Sequence, residues 1–225
     1  MTIEALNAQI STCKKCPRLV AWRERIAHEK RRAYRDWEYW GRPVPGFGDP
    51  RARVFVVGLA PGAHGSNRTG RQFTGDASGD FLYPALYRAG FASQPDSRSL
   101  GDGLALKDLY IAPICRCVPP GNKPVLEEMV NCQPYLEHEI ELIAPDVFVA
   151  LGRIAFERLK KILALDDGSI VFRHQATYLL PAGRMLVCSY HPSRQNTQTG
   201  RLSVEGFDAV WRQVKQLIYN RSSYA

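Results

Sequence analysis

The sequence predicts an α/β fold of three layers, in which helices cover both faces of a four-stranded parallel sheet. Four short apolar runs rich in β-branched residues have the length and composition of buried parallel strands. Stretches with helical spacing of apolar residues lie between these runs, and alternation of strand and helix is typical of a parallel sheet. A chain of 225 residues is long enough to bury one such core.

The predicted elements follow one another in a regular order. Residues 4–12 and 18–33 are predicted to be helical, and the Gly- and Pro-rich residues 41–50 form a connector. The predicted strands are residues 53–58, 109–114, 147–151 and 185–190. The predicted helices after the connector are residues 78–89, 124–143, 154–163 and 207–219. We therefore expect a single domain over residues 1–225.

The charge balance indicates a polyanionic partner. Lys plus Arg total 30 and Asp plus Glu total 22, so the formal net charge is +8. Such a surplus attracts nucleic acid or an anionic membrane face. No run approaches the roughly eighteen apolar residues of a membrane helix, and the N-terminus lacks the pattern of a secretion signal. We therefore expect a cytoplasmic protein with no membrane partner.

Basic residues concentrate near the N-terminus. Between residues 14 and 35 there are nine basic side chains and two acidic ones. Aromatic residues lie among and just after them, namely Trp22, Tyr34, Trp37, Tyr39 and Trp40. Basic residues interleaved with aromatics suit a phosphate backbone. The alternative is a solvated helical face with a few core aromatics.

Six cysteines in a chain expected to be cytosolic favour a metal site over disulfides. Four of them form two pairs, Cys13 with Cys16 in a C-x-x-C and Cys117 with Cys132. Four thiolates suit Zn²⁺ or an iron–sulfur cluster, and spacing alone does not separate the two. Cys115 and Cys188 are interpreted as small core residues, although Cys115 competes with Cys117. Such a site would tie the basic N-terminal segment to the sheet.

Three loops dense in Gly, Pro and polar residues follow predicted strands, at residues 58–65, 117–124 and 191–193. In open α/β sheets, ligands bind beyond the carboxyl ends of the strands. The three loops are therefore expected to converge on one site.

These loops resemble the signatures of one family. Residues 58–82, GLAPGAHGSNRTGRQFTGDASGDFL, resemble the first signature of family 5 uracil-DNA glycosylases. Residues 117–124 with Cys132 are similar to its cluster-binding loop, and residues 191–196 with 199–201 resemble its C-terminal signature. The resemblance implies the uracil-DNA glycosylase fold and a structural [4Fe–4S] cluster in preference to zinc. It also implies excision of uracil, and of other deaminated bases such as hypoxanthine or xanthine, from DNA.

Cleavage of an N-glycosidic bond in DNA requires a pocket for a base that has left the stack. Phe73 is expected to provide a stacking face for this base, although a core phenylalanine is the alternative. Gly58, Leu59 and Ala60 are expected to bring backbone amides close to the substrate, because glycine imposes no side chain.

The loop after the first predicted strand has no carboxylate or carboxamide between Gly58 and Gly65. Activation of water is therefore expected to come from elsewhere. Asp76 is the candidate, to orient water or to stabilise an oxocarbenium-like transition state. Its alternative role is to cap the helix that begins near Ser78. Asp80 is the competitor, as an acid in the first turn of that helix.

His191 is expected to donate a hydrogen bond to the base carbonyl as negative charge develops there, with His64 as a second possibility. Asn122 is assigned to the catalytic set, because its carboxamide can bond a base edge or a water, and a turn residue is the alternative. Ser193 and Arg194 are expected to grip phosphate or to wedge into the duplex. Further phosphate contacts are predicted from three other residues, namely Asn67, Arg68 and Arg71.

One position bears on the range of substrates, and two other functions remain as alternatives. In a sister family with the same cluster, the uracil-reading Asn lies four residues before the third cysteine, and this position is Pro113 here. A broad substrate range is therefore expected of a monomeric enzyme acting on damaged DNA. The alternatives are a non-enzymatic Fe–S or zinc nucleic-acid-binding protein and a metal-dependent hydrolase with His64, Asp76 and His191 as ligands.

Overall fold

A mixed, mainly parallel sheet forms the centre of the computed structural model, which describes residues 1–222, with side chains through Asn220. Its six strands are β1 (Phe47–Gly48), β2 (Val54–Gly58), β3 (Leu109–Pro113), β4 (Val147–Leu151), β5 (Thr177–Leu179) and β6 (Met185–Ser189). Their order is β1-β3-β2-β4-β6-β5, and β1 and β5 are antiparallel to their neighbours. The prediction of one domain over residues 1–225 reaches residues 223–225, which lie outside the described residues, and it stays a prediction.

The predicted α/β class is confirmed, but the prediction of four strands is wrong. The four predicted strands are the parallel centre of the sheet, and two short edge strands add to it. β1 lies inside the Gly- and Pro-rich connector, where Phe47 pairs with Ile111. A Cβ added to Gly48 would lie 2.2 Å from the Leu109 carbonyl oxygen. This glycine therefore marks a close approach of two strands, although it resembles a turn signal in the sequence.

The helices are α1 (Ile3–Ser11), α2 (Pro17–Glu29), α3 (Ser66–Thr69), α4 (Gly79–Arg88), α5 (Leu126–Ile143), α6 (Arg153–Ile162), α7 (Arg194–Gln198) and α8 (Val204–Ser222). Short 3-10 helices occupy Arg32–Tyr34, Pro120–Asn122 and Pro181–Gly183. The six predicted helices are confirmed with small shifts of their ends. α2 ends early because Lys30 adopts a left-handed φ of 53°. No helix within residues 1–222 combines the length and apolar character needed to cross a lipid bilayer.

Two apolar cores lie on opposite faces of the sheet. Phe55 and Val57 of β2 pack with residues of α1, α5 and α6, whereas Val54 and Val56 pack with α4 and α8. This alternation is the period of two that a strand imposes on its side chains. All five residues of β2, β3 and β4 are buried, which explains why these strands read as continuous apolar runs.

The sheet order determines where a site can form. β2 and β4 are adjacent at the centre, with β3 beyond β2 and β6 beyond β4. Chain connections therefore leave in opposite directions on either side of the β2–β4 pair, which is the switch point where open α/β sheets bind ligands. The loops after β2, β3, β4 and β6 all begin at this carboxyl edge.

Candidate active site

Phe73 has a strained backbone at the carboxyl edge of the sheet. Its φ is 51°, in the left-handed region that bulky residues rarely adopt. The ring is nearly buried and lies over Gly58, where an added Cβ would be 3.1 Å from Phe73 Cζ. The Phe73 and His191 ring centroids are 5.8 Å apart, with 33° between the planes. Phe73, Gly58 and His191 therefore lie together at the carboxyl edge of the sheet, where the loops were expected to converge.

A buried polar network holds the backbone around Phe73. Ser97 Oγ donates to the Phe73 carbonyl, and Thr74 Oγ1 is 2.7 Å from Ser97 Oγ. Arg71 donates from Nε to Thr74 and through two nitrogens to the Asp102 carboxylate, at 2.8 and 2.7 Å. Arg71 is 2% exposed, so its predicted contact with phosphate is wrong. Its guanidinium stabilises the Phe73 turn instead.

Asp76 caps the start of α4, as its alternative role predicts, and its catalytic role stays a prediction. Its Oδ1 accepts from the amides of Ser78 and Gly79, at 3.0 and 3.1 Å, at the start of α4. Its Oδ2 faces the loop after β2, where a Cβ added to Gly65 would lie 1.9 Å from it. Burial raises the pKa of Asp76, and the two amides act in the opposite direction. Asp80 is exposed in the first turn of α4, as its alternative role predicts.

His191 follows β6 directly. Burial lowers its pKa to about 4, so the imidazole is neutral at neutral pH. Its backbone is fixed because Asn196 Nδ2 donates to the His191 carbonyl at 2.8 Å. Gly152, with a φ of 96°, leaves room for it, since an added Cβ there would lie 3.3 Å from His191 Cβ. The ring is thus presented as a neutral hydrogen-bond donor or acceptor beside Phe73.

His64, the second candidate, is engaged elsewhere. Its Nδ1 lies 3.0 Å from the Tyr39 hydroxyl, and burial lowers its pKa. Within residues 1–222, no three His, Cys, Asp or Glu side chains converge as ligands of one metal ion. The arrangement of His64, Asp76 and His191 therefore does not support the metal-dependent hydrolase alternative.

Other predicted site residues lie around this centre, and their roles stay predictions. Gly58 and Leu59 extend the sheet, because their carbonyls accept from Ile114 and Cys115 at 3.0 Å each. Asn122 is exposed, and its side chain forms no hydrogen bond within residues 1–220. Two further residues, Ser193 and Arg194, begin α7 just beyond His191. Ala60 follows Leu59 and is half-buried.

A cavity of about 370 Å³ extends from His191 towards the first turn of α6. Phe172 and Tyr190 form part of its wall. The Arg153 guanidinium lies 5.3 Å from the Phe172 ring, and that of Arg201 lies 4.4 Å from the Tyr190 ring. The cavity therefore combines aromatic walls with two positive charges.

The aromatic residues near the N-terminus differ in their exposure, and their expected place on a phosphate backbone stays a prediction: Tyr39 is buried, Trp22, Tyr34 and Trp40 are half-buried, and Trp37 is exposed. Trp40 lies against Gly70, where an added Cβ would be 2.9 Å from its ring. Tyr34 and Trp37 both pack on the Arg68 guanidinium. Arg68 and Asn67 are buried, so their predicted phosphate contacts are also wrong. Most basic side chains of residues 14–35 remain exposed.

The four predicted cysteine ligands come from three parts of the chain and meet in one region. Cys16 at the start of α2 packs with Cys117 of the loop after β3. The Cys16 thiol lies within electrostatic range of Cys132 and Cys13. Arg23 is 2% exposed and donates to Cys117 Sγ at 2.9 Å, while its Nε has no partner within residues 1–220. A buried cation with an orphaned donor suits an anionic group among these thiols.

Comparison with known proteins places this arrangement in a family. A model of the uracil DNA glycosylase superfamily matches residues 45–215. The type-5 uracil-DNA glycosylase of Thermus thermophilus is 54% identical over 96% of this chain and 99% of its own length. The Mycobacterium leprae protein of that name is 49% identical over 96% of each chain, and the Pyrobaculum aerophilum one 45% over 91% and 88%. The chain therefore belongs to the uracil DNA glycosylase superfamily, and within it to the type-5 proteins.

Proposed function

We propose that this protein removes uracil from DNA by hydrolysing the bond between the base and C1′ of its deoxyribose. The observation that carries the proposal is the pairing of the Phe73 and His191 rings over Gly58 at the carboxyl edge of the sheet, with the Asp76 carboxylate against the neighbouring loop after β2. The names of its relatives agree with it. Water adds to C1′, the base departs with the bonding electron pair and takes up a proton, and an abasic site remains.

Phe73 and Gly58 receive the base. A base must leave the duplex before its sugar carbon is accessible, and aromatic side chains stack on the extruded base. The ring of Phe73 is fixed by its strained backbone and by the network beneath it, so it loses little freedom on binding. The bare backbone of Gly58 allows the Phe73 ring to lie directly on the sheet, which fixes the stacking face that the base would meet.

Asp76 acts on the sugar and the water. Its Oδ1 is occupied by the amides at the start of α4, and this leaves Oδ2 to orient water or to oppose the positive charge that develops on the sugar. The raised pKa of Asp76 makes this carboxylate a better proton acceptor than an exposed aspartate.

His191 acts on the departing base. A neutral imidazole can donate a hydrogen bond to a base carbonyl whose negative charge grows in the transition state. The low pKa of His191 ensures that it does so without itself being an acid at neutral pH.

The basic surface and the cavity beyond His191 suit the DNA strand. The net charge of +8 attracts the duplex. Arg153 and Arg201 at the cavity suit backbone phosphate, as do Ser193 and Arg194 on the neighbouring loop. DNA with a single flipped nucleotide requires one such site, so we propose that a monomer acts.

We also propose that the protein excises bases other than uracil. Pro113 ends β3 beside Gly58 and offers no side-chain hydrogen bond to distinguish one base edge from another. Hypoxanthine and xanthine are therefore proposed as further substrates, because they retain a carbonyl for His191.

The test uses end-labelled duplexes with a single uracil, hypoxanthine or xanthine, incubated with the protein in EDTA and then treated with alkali. We expect strand breaks at the modified position and none in a duplex with thymine there. If the protein bound every duplex and produced no strand breaks, the proposed glycosylase activity would be overturned in favour of a non-enzymatic nucleic-acid-binding protein. Breaks with uracil alone would overturn the broad range.

Gly65→Ala should reduce base release by on the order of 10²-fold, because a Cβ at this position would displace the Asp76 carboxylate. The measurement is the single-turnover rate on the uracil duplex, with the melting temperature recorded alongside. Gly101→Ala is the matched control, since nothing lies within 4 Å of its added Cβ. Equal rates for the two variants would contradict the assigned position of Asp76 Oδ2.

We further propose that Cys13, Cys16, Cys117 and Cys132 hold a structural [4Fe–4S] cluster. The residues fit this group, because four thiols meet in one region with the buried Arg23 cation beside them. Four cysteine thiolates are the usual ligand set of a [4Fe–4S] cluster. When bound, the cluster would crosslink α2, the loop after β3 and α5.

Cys117→Ser should lose bound iron and visible absorbance and should lower the melting temperature, because a bound cluster contributes to folding. Iron content per chain is the measurement. Cys188→Ala is the matched control, since it removes a buried thiol outside the proposed ligand set. Cys115→Ala tests the competing ligand, because the Cys115 thiol is in hydrogen-bond contact with Cys132. Iron retained in Cys117→Ser but lost in Cys115→Ala would move the third ligand to Cys115.

A further inference from the structure

Arg68 is a buried cation that the proposed chemistry does not use. It lies in α3, directly after the loop that follows β2, and is 3% exposed. No carboxylate lies within ion-pair distance of it among the residues whose side chains are described. Burial of a charge without an ion-pair partner lowers the stability of the fold, so other contacts must stabilise the Arg68 guanidinium.

Two aromatic rings and two carbonyls hold the guanidinium in place. Its carbon lies 4.0 Å from the ring centroids of both Tyr34 and Trp37, at the short range of cation–π contacts. Nε donates to the His64 carbonyl at 2.7 Å, and Nη2 donates to the Gly75 carbonyl at 3.0 Å. The remaining amino group, Nη1, has no partner within residues 1–220.

These contacts join three segments that meet at the site. His64 belongs to the loop that faces Asp76 Oδ2, and Gly75 immediately precedes Asp76. Tyr34 and Trp37 belong to the segment after α2, which begins at the N-terminal cysteine pair. The packing at Gly75 is tight, because a Cβ there would lie 2.3 Å from Arg68 Nη2.

We infer that Arg68 is a positioning residue: clamped by Tyr34 and Trp37, it sets the Asp76 carboxylate against the loop after β2 and makes catalysis depend on the folded N-terminal segment. The inference rests on the proposed function. The positive charge of Arg68 also supports catalysis by Asp76, because it lowers the pKa of Asp76 and so favours the carboxylate form.

Arg68→Met tests the inference on the full chain, with single-turnover rates and KM measured on the uracil duplex from acidic to alkaline pH. We expect kcat to fall by about 10- to 100-fold, with KM little changed, because the carboxylate is displaced and not lost. Removal of the positive charge raises the pKa of Asp76, so the acid limb of the rate profile should move to higher pH. Arg68→Lys should restore the position of this limb in part, because it restores the charge.

Arg184→Met is the matched control. Arg184 is half-buried and, like Arg68, stacks on an aromatic ring, that of Phe148, but it precedes β6 at the opposite edge of the sheet. Its rate profile should match that of the unmodified protein. If Arg68→Met matches it as well, the inference is overturned.

Trp37→Ala keeps the inference testable if Arg68→Met does not fold, because Trp37 is 37% exposed and its removal opens no deep cavity. It should lower kcat and shift the acid limb in the same direction, and Trp37→Phe should restore both. An unchanged profile in a folded Trp37→Ala overturns the clamp. Failure of the unmodified protein to release uracil would instead overturn the proposed function, so the two failures are distinct.

Discussion

Asp76→Asn should reduce the rate of uracil release by about 10²–10⁴-fold, the range for loss of a positioned acid or base. The amide retains an oxygen for the Ser78 and Gly79 amides, so the start of α4 should remain intact. It lacks the negative charge and the basicity by which we propose that Oδ2 acts on the water and the sugar. The measurement is the single-turnover rate on the uracil duplex as a function of pH.

The pH dependence has a definite sign. Burial raises the pKa of Asp76 above that of an exposed aspartate, so the rate of the unmodified protein should fall on acidification at a higher pH than a free aspartate would give. Asp76→Asn should abolish this acid limb. The exposed Asp80 provides the matched control. Asp80→Asn should keep the rate at neutral pH and the acid limb itself, with the limb moved to slightly lower pH because the Asp80 charge raises the pKa of Asp76.

Stability should change in the opposite sense to activity. A carboxyl group whose pKa is higher in the folded state contributes stability below its unfolded pKa and loses it as pH rises through the folded value. At neutral pH the ionised Asp76 therefore destabilises the fold, and Asp76→Asn should melt at an equal or higher temperature. A variant that lost activity by unfolding would melt lower, which would contradict the catalytic role.

His191→Ala should reduce the rate by about 10²–10³-fold, the usual cost of removing one donor to a developing negative charge. Because its pKa is about 4, the imidazole stays neutral from mildly acidic to alkaline pH. The factor should therefore be the same at neutral and alkaline pH. Duplex affinity, measured by gel shift, should remain nearly intact.

His138→Ala is the control for this variant, since His138 is exposed on α5. A second variant, His191→Gln, restores a neutral donor and should recover part of the rate. If His191→Ala weakens duplex binding as much as it slows base release, His191 is a binding residue and its role at the base carbonyl is wrong.

Helices and strands that have a recognisable local pattern of apolar residues could be predicted from the sequence. β2, β3 and β4 are buried on both faces, so their apolar runs are continuous, and α4, α5, α6 and α8 carry the helical spacing of a face turned to the core. β1 and β5 have two and three residues and exist because a neighbouring strand pairs with them. Such long-range pairing leaves no local pattern.

The same division applies to the site. Phe73 lies in the loop between α3 and α4 and His191 directly follows β6; the residues around each predict a site, and the structure brings the two rings together. The burial of Arg68 and Arg71 could not be predicted, because arginine is mostly exposed and their partners are distant in sequence. Asp102 lies 31 positions from Arg71, and Tyr34 and Trp37 lie on the far side of the connector.

The order of strands also has a consequence for synthesis of the protein on the ribosome. The loop after β2 and the Asp76 turn emerge early, but His191 follows β6, which inserts beside β4 and completes the parallel centre of the sheet. A nascent chain or a prematurely terminated product that lacks β6 has neither His191, the proposed donor to the base, nor the sheet edge that supports it. Interrupted translation should therefore release fragments that do not cut bases from the chromosome.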